Sequence, residues 1–456
     1  LTSHLGKAME KVVKKHIVNY LEANKLLNER QHGFRAGRST FSQLVQHVDE
    51  VITRLEEGGL VDVILLDFAR AFDKVDHGIL LQCLRDVGIS GQLGTWIHQF
   101  LTGRKQFVIV DGIKSEVSNI ISGVPQGTVL GPILFLVLLT MIDSGIMESF
   151  LSSFADDTKL VGTVRSVKDA QKIQNDLDSV YAWTRESNML LNGDKFQLLR
   201  YGEDEELKSL TSYFDCNGKK IEETPRAKDL GIIMTSNGNF EEHINVTVQK
   251  AYDMMGWVLR TFITRDRKPM LTLYKSLILA RLDYCSALWN PNGSAYLINK
   301  IEKVQRVFTR RVNGTEGMNY WDRLKHLRLY SVQRRRERYL IMYVFKIIHG
   351  LVPNCGLSFH ENPRTSIHAI VPKLNPTSSS QVKSMRSNSF NFVAPTLFNL
   401  LPTTMRRVYD VRNPFDKFKS DLDTLLSDIP DEPTVNGLTR NARSNSLIHQ
   451  MTSNFV

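Results

Sequence analysis

SSFADDTKLVG occupies residues 152–162. Asp156 and Asp157 stand side by side after an apolar approach through Phe150, Leu151 and Phe154. The chain then returns to apolar residues at Leu160 and Val161. This pattern predicts a hairpin with two carboxylates at its tip. Adjacent carboxylates repel and raise each other's proton affinity unless a metal, a basic side chain or solvent offsets them. The preference of Asp for turns offers a purely structural explanation of the pair.

Upstream, VDVILLDF at 61–68 is a short apolar run that predicts a buried strand ending in Asp67. If that strand lies beside the hairpin, three carboxylates meet on one face. All-oxygen ligands without Cys or His select a hard ion, Mg²⁺ or Mn²⁺. Two such ions are a general device for in-line displacement at phosphorus. Asp67 could equally cap the helix that follows.

Further elements follow from periodicity. Residues 4–28 carry Leu5, Met9, Val12, Val13, Ile17 and Leu21 at helical spacing. QHGFRAGRST at 31–40 is a glycine-punctuated loop, and 41–58 is helical up to Gly58. Residues 105–124 alternate around Asp111-Gly112, a hairpin turn signal. The apolar stretch 129–142 contains Gly131 and Pro132 and is too short to span a membrane, so it predicts a core helix. Residues 166–190 predict an amphipathic helix, and 196–202 and 227–234 predict strands.

The 456 residues are too many for one core, and two to four domains are expected. The net charge of +10 leans toward a polyanionic partner. Four widely spaced cysteines form no CxxC pair, which argues against a zinc site or disulfide framework and fits a reducing, intracellular setting. The start, LTSHLGKAMEKVVKK, has no initiator Met or signal-peptide pattern and suggests a fragment of a longer reading frame. Strands and helices interleave in the first half, while helices dominate the basic second half. An α+β domain followed by helical modules is therefore expected.

VILLDFARAFDKVDH, SGVPQGTVLGPILF, FADDTKL, LLNGDKFQLL and LGIIM occur in that order, preceded by QHGFRAGRS. Together they resemble the fingers and palm motifs of reverse transcriptases from non-LTR retrotransposons of the jockey type, over roughly 1–235. RRRERYLIMYVFKIIHGLVPN and FNFVAPTLFNLLP resemble the C-terminal region of the same elements. The resemblance implies a right-hand polymerase. Its fingers would be 1–60 and its palm, an antiparallel sheet packed on helices, 61–240. A basic helical thumb would follow at 241–350, a C-terminal helical module at 351–428 and a disordered tail at 429–456.

The same resemblance implies residue roles. Asp67, Asp156, Asp157 and the Phe68 carbonyl would hold two Mg²⁺ ions, or Mn²⁺. Lys195 would protonate the pyrophosphate leaving group. Phe72 would gate the sugar, Gln126 and Gly127 would line the incoming nucleotide, and Arg35 and Arg38 would meet its triphosphate. Leu230 and Gly231 would grip the primer. Arg306, Arg310, Arg311, Arg334 and Arg335, with Arg336 and Arg338 nearby, would clamp the duplex backbone. The implied partners are an RNA template, a DNA primer and dNTPs, without a membrane; an upstream endonuclease domain and a nuclear site of action are also implied. Leu138-Leu139-Thr140-Met141 replaces the family's Tyr-Ile-Asn-Asp. The alternative reading is therefore a decayed element remnant that binds nucleic acid without catalysis.

Overall fold

A computed structural model describes residues 3–291, 293–362, 366–409, 411–433 and 445–452. The chain divides into two units. One comprises residues 1–43 and 57–230, the other residues 44–56 and 231–456.

The first unit begins with helix α1 (His4–Ala23) and the first turn of α2 (Thr40–Glu56). Strand β1 (Leu60–Leu66) follows, then helix α3 (Gly131–Leu138), the hairpin β2 (Phe150–Phe154) and β3 (Asp157–Val164), helix α4 (Val167–Glu186), strand β4 (Gln197–Tyr201) and strand β5 (Arg226–Asp229). Strands β1 to β4 form one antiparallel sheet in the order β2-β3-β1-β4.

The central strand β1 is apolar because it is covered on both sides. The stretch expected to be a core helix is α3, and Ile133 to Leu138 are all buried. On α4, Ala170, Ile173, Leu177 and Val180 recur at helical spacing and join the same core as Leu60, Ile64 and Leu160. Gly162 lets the helix sit close, since a Cβ there would lie 2.3 Å from Ile173. Asp62 and Arg200, on neighbouring strands, form a buried ion pair, and Tyr213 donates to Asp62 at 2.7 Å. Asp111 and Gly112 both take positive φ and close the expected turn, with Val110 opposite Ile113.

Helix α1 departs from the expected pattern. Only Ile17 and Leu21 of its apolar residues are buried, while Leu5, Met9 and Val12 are exposed. Its inward group is Glu10, whose carboxylate accepts from the amides of Val129 and Leu130 at 2.6 and 3.0 Å. These amides precede α3 and lack intrahelical partners, so a buried acid satisfies them.

The second unit is helical, with α5 (Glu241–Thr261), α6 (Ala295–Thr309), α7 (Val332–Ile348), α8 (Phe390–Asn399), α9 (Pro414–Asp428) and α10 (Leu447–Thr452) as its main elements. Phe345 of α7 stacks on Phe418 of α9 at 4.0 Å. The tail expected to be disordered departs in part from that expectation. Leu447 is buried, and its amide donates to Glu337 at 2.9 Å. Ser446 Oγ donates to the same carboxylate at 2.6 Å. Residues 434–444 and 453–456 lie outside the described residues. Among the described residues, no helix is long and apolar enough to cross a membrane.

Candidate active site

Strand register assembles the site. Leu66 pairs with Thr158, so one further residue sets Asp67 opposite Asp157. Leu65 pairs with Gln197; beyond it the short helical turn Gly193–Lys195 interrupts the register, Phe68 bridges to Leu191, and the turn carries Lys195 beside Asp67. Lys195 Nζ indeed donates to Asp67 Oδ2 at 3.1 Å. The backbone joins them too, since Asn192 N donates to the Asp67 carbonyl at 2.8 Å. Asp67, Asp157, Lys195, Lys228 and Asp229 line a cleft of about 140 Å³ at this end of the sheet.

Phe154 pairs with Asp157 across a two-residue turn, Ala155-Asp156. Ala155 takes φ +56°, a left-handed conformation unfavourable for a residue with a Cβ. Gln31, from the glycine-punctuated loop, holds this turn. Its buried amide donates to the Ala155 carbonyl at 3.2 Å and accepts from Ala155 N at 2.8 Å. The same oxygen accepts from Gly33 N at 2.8 Å. Sequence reading missed Gln31 and Gly33; their signal was only a glutamine two residues before a glycine in a loop.

Burial pushes the Asp156 carboxyl above the ordinary carboxylate range, and the Asp67 charge adds to it. Asp157 is raised by burial first, then by Asp156, Asp229 and Asp67. The three expected carboxylates therefore share one field, with a net demand for positive charge. Among the described residues, no three acidic, His or Cys side chains form a ready-made metal cage. Mg²⁺ seldom needs one, since it is commonly held by one or two carboxylates with substrate phosphates and water. The all-oxygen donors and their mutual repulsion fit such an ion.

Phe72 is half-buried, stacked on Phe135 at 4.3 Å and met edge-on by Phe34 at 6.0 Å. Its carbonyl accepts from Val124 N at 2.9 Å, tying it to the segment that carries Gln126 and Gly127. Gln126 Nε2 donates to Asp73 Oδ1 at 2.8 Å. Gly127 is exposed, with φ +76° and open space where a Cβ would be. Phe68 is buried, with its ring edge-on to Trp183. Leu230 and Gly231 both take positive φ, which makes a tight reversal.

Several expected cations are committed within the protein. Arg35 pairs with Glu22 at 2.6 Å and donates to the Asn28 carbonyl at 2.6 Å. Arg38 is half-buried and donates to the Glu29 carbonyl. Arg334 is fully buried and donates to Gln450 at 2.6 Å and to the Pro430 carbonyl at 3.0 Å. Arg336 is buried over the Trp289 ring at 4.0 Å, and Arg338 pairs with Asp423 at 2.7 Å. Arg335 pairs with Asp283 at 2.7 Å. Arg306 lies over Tyr320 at 4.8 Å. Of the predicted clamp, Arg310 and Arg311 are exposed. Exposed Lys250, Trp257, Arg260, Arg267 and Lys268, not anticipated from sequence, lie on α5 and just after it.

An antiparallel sheet with convergent carboxylates at one end, backed by helices, is the palm of a right-hand polymerase. The family described as reverse transcriptase (RNA-dependent DNA polymerase) matches residues 1–240, and the chain belongs to that family. It is similar to the RNA-directed DNA polymerase from mobile element jockey of Drosophila funebris. The two are 28% identical over 333 residues, covering 69% of this chain and 35% of that protein. The probable RNA-directed DNA polymerase from transposon X-element of Drosophila melanogaster is also 28% identical over 333 residues, with the same coverage. The chain thus spans 35% of the length of these curated relatives. A solved telomerase from Candida Tropicalis with a TWJ fragment of telomeric RNA is 11% identical. It matches with TM-score 0.41 over 91% of this chain and 56% of that one.

Proposed function

We propose that the chain is an RNA-directed DNA polymerase that adds deoxynucleotides to a primer 3′-hydroxyl paired to an RNA template. The observation that carries this is the meeting of Asp67, the Asp156–Asp157 turn and Lys195 at one end of the sheet. Asp67, Asp156, Asp157 and the Phe68 carbonyl would hold two divalent ions, Mg²⁺ or Mn²⁺, which supply Lewis-acid charge neutralisation and lower the pKa of the attacking hydroxyl.

The protein's own residues do the rest. Lys195, exposed and hydrogen-bonded to Asp67, is placed to give a proton to the departing pyrophosphate. Phe72 is braced by Phe135 and Phe34, so its ring cannot swing aside for a 2′-hydroxyl, and ribonucleotides are excluded by clash. Gly127 lets the sugar and base approach the backbone, and Asp73 keeps Gln126 in place beside it. Arg38 remains the basic fingers residue for the triphosphate. Leu230 and Gly231 hold the primer end. Arg310 and Arg311, with the exposed cations around α5, contact the duplex backbone. An upstream endonuclease and action in the nucleus belong to the same proposal and rest on the resemblance of the motifs.

The test is primer extension on an RNA template. Asp156→Asn should abolish extension while leaving RNA binding nearly intact. Loss of both together would make Asp156 structural. Salt-sensitive RNA binding by the unmodified chain, without divalent-dependent extension, would favour a binding-only remnant.

A further inference from the structure

Lys159 is the third residue of β3, two after Asp157 and therefore on the same sheet face. Its ammonium is buried and paired with Asp229, itself buried. Gln43 Oε1 accepts from it at 3.2 Å, and Gln43 Nε2 donates to Ser152 Oγ of β2 at 3.0 Å. This network ties both strands of the catalytic hairpin to the end of β5. Asp229 immediately precedes Leu230, which holds φ +45°. A leucine in that conformation is strained, and it persists only where its surroundings fix it.

We infer that Lys159 is a positioning residue, which sets the Asp229–Leu230 turn, and with it the primer terminus, against the Asp67–Asp156 carboxylates. This rests on the polymerase reading. A buried ion pair is seldom kept for stability alone, since apolar residues of similar volume often serve as well or better. Here both partners line the same cleft as Asp67, Asp157 and Lys195. Such a pair holds two backbone segments at one fixed separation, which an apolar contact with freedom to slide does not.

The test compares K159M/D229L, in which both charges are removed together, with the unmodified chain. The readouts are melting temperature, affinity for an RNA–DNA hybrid, single-nucleotide extension at saturating dNTP, and amide hydrogen exchange over residues 226–230. The expected result is a melting temperature within about 4 °C of the unmodified chain, retained hybrid affinity and faster exchange at Leu230. Extension should be slower by roughly tenfold or more, the scale of a sub-ångström misplacement. Unchanged extension in the folded double variant overturns the inference. Should that variant not fold, Asp229→Glu decides. It keeps the ion pair but lengthens it, and an unaltered extension rate would again overturn the proposal. If the unmodified chain extends no primer, the polymerase reading falls, while exchange still decides whether the tie fixes the turn.

Discussion

Replacing Gly33 by alanine tests the link between the glycine-punctuated loop and the acidic turn. A Cβ on Gly33 would lie 2.4 Å from Ala155 N, 3.0 Å from its Cα and 3.1 Å from its Cβ. Ordinary contact needs about 1 Å more than the shortest of these. Both colliding groups are backbone or next to it, so no rotamer change relieves the clash. Ala155 is also held by Gln31 on its N–H and its carbonyl. The relief must therefore move either the Gln31–Gly33 loop or the turn that carries Asp156. Overpacking of this kind costs roughly 1–3 kcal/mol of stability. A shift near 1 Å in a catalytic group costs on the order of a hundredfold in rate. In primer extension, Gly33→Ala should lose about that factor in kcat while still binding the template. Gly94→Ala is the control: its Cβ would meet only Ile89 O at 3.6 Å, and extension should not change. A folded Gly33→Ala protein that extends within about twofold of the unmodified rate would refute the coupling.

Four further outcomes are expected. Phe72→Ala should admit ribonucleotides, read as the ratio of rNTP to dNTP incorporation; an unchanged ratio removes the gate role. Arg334→Ala should cost on the order of 3 kcal/mol in unfolding, by stranding Gln450 and three carbonyls, and leave hybrid affinity unaltered. Arg310→Ala should instead lower affinity and reduce the salt slope by about one. His243 is held down to about 4 by burial, with Arg336 and Lys250 adding to it, against an ordinary 6.5. The native state thus binds fewer protons between these values. Its stabilisation is full above pH 6.5 and is lost as pH falls toward 4, a swing on the order of 3 kcal/mol. His243→Gln should flatten that limb in thermal unfolding followed across pH, and an equally steep limb would count against it.

The palm was legible because its signals are local. Apolar runs end at Asp67 and start again around Asp156, and the pairing of β1 with β3 and β4 then fixes the rest by register. The Lys195–Asp67 contact joins residues 128 apart, and it depends on the short helical turn Gly193–Lys195 that interrupts the strand register. What was not legible depended on partners that no local pattern announces. The pairing of Arg35 with Glu22, which looks like an ordinary surface acid at the end of α1, is one such contact. Lys159 stands beside the acidic pair in sequence, and nothing local shows that it is buried on Asp229.

The arginine run at 334–338 shows the physical limit most clearly. Charge density alone predicts an exposed phosphate-binding face, and the net charge of +10 supports that prediction. Burying a guanidinium is tolerable only when its donors are answered. For Arg334, Arg335 and Arg338 most answers come from Asp283, Asp423, Gln450 and the carbonyls of 429 and 430, all well removed in sequence. Arg336 instead has the Leu282 carbonyl and the Trp289 ring, and leaves Nε and Nη1 without a hydrogen bond among the described residues. The tail read as disordered supplies some of the answers, so one misreading produced the other. Once those arginines are counted as internal, the exposed cations of the second unit include Arg310, Arg311, Lys250, Arg260, Arg267 and Lys268. A nucleic-acid surface is thus defined by which basic groups lack an internal acid or carbonyl, and that is a property of the fold before it is a property of composition.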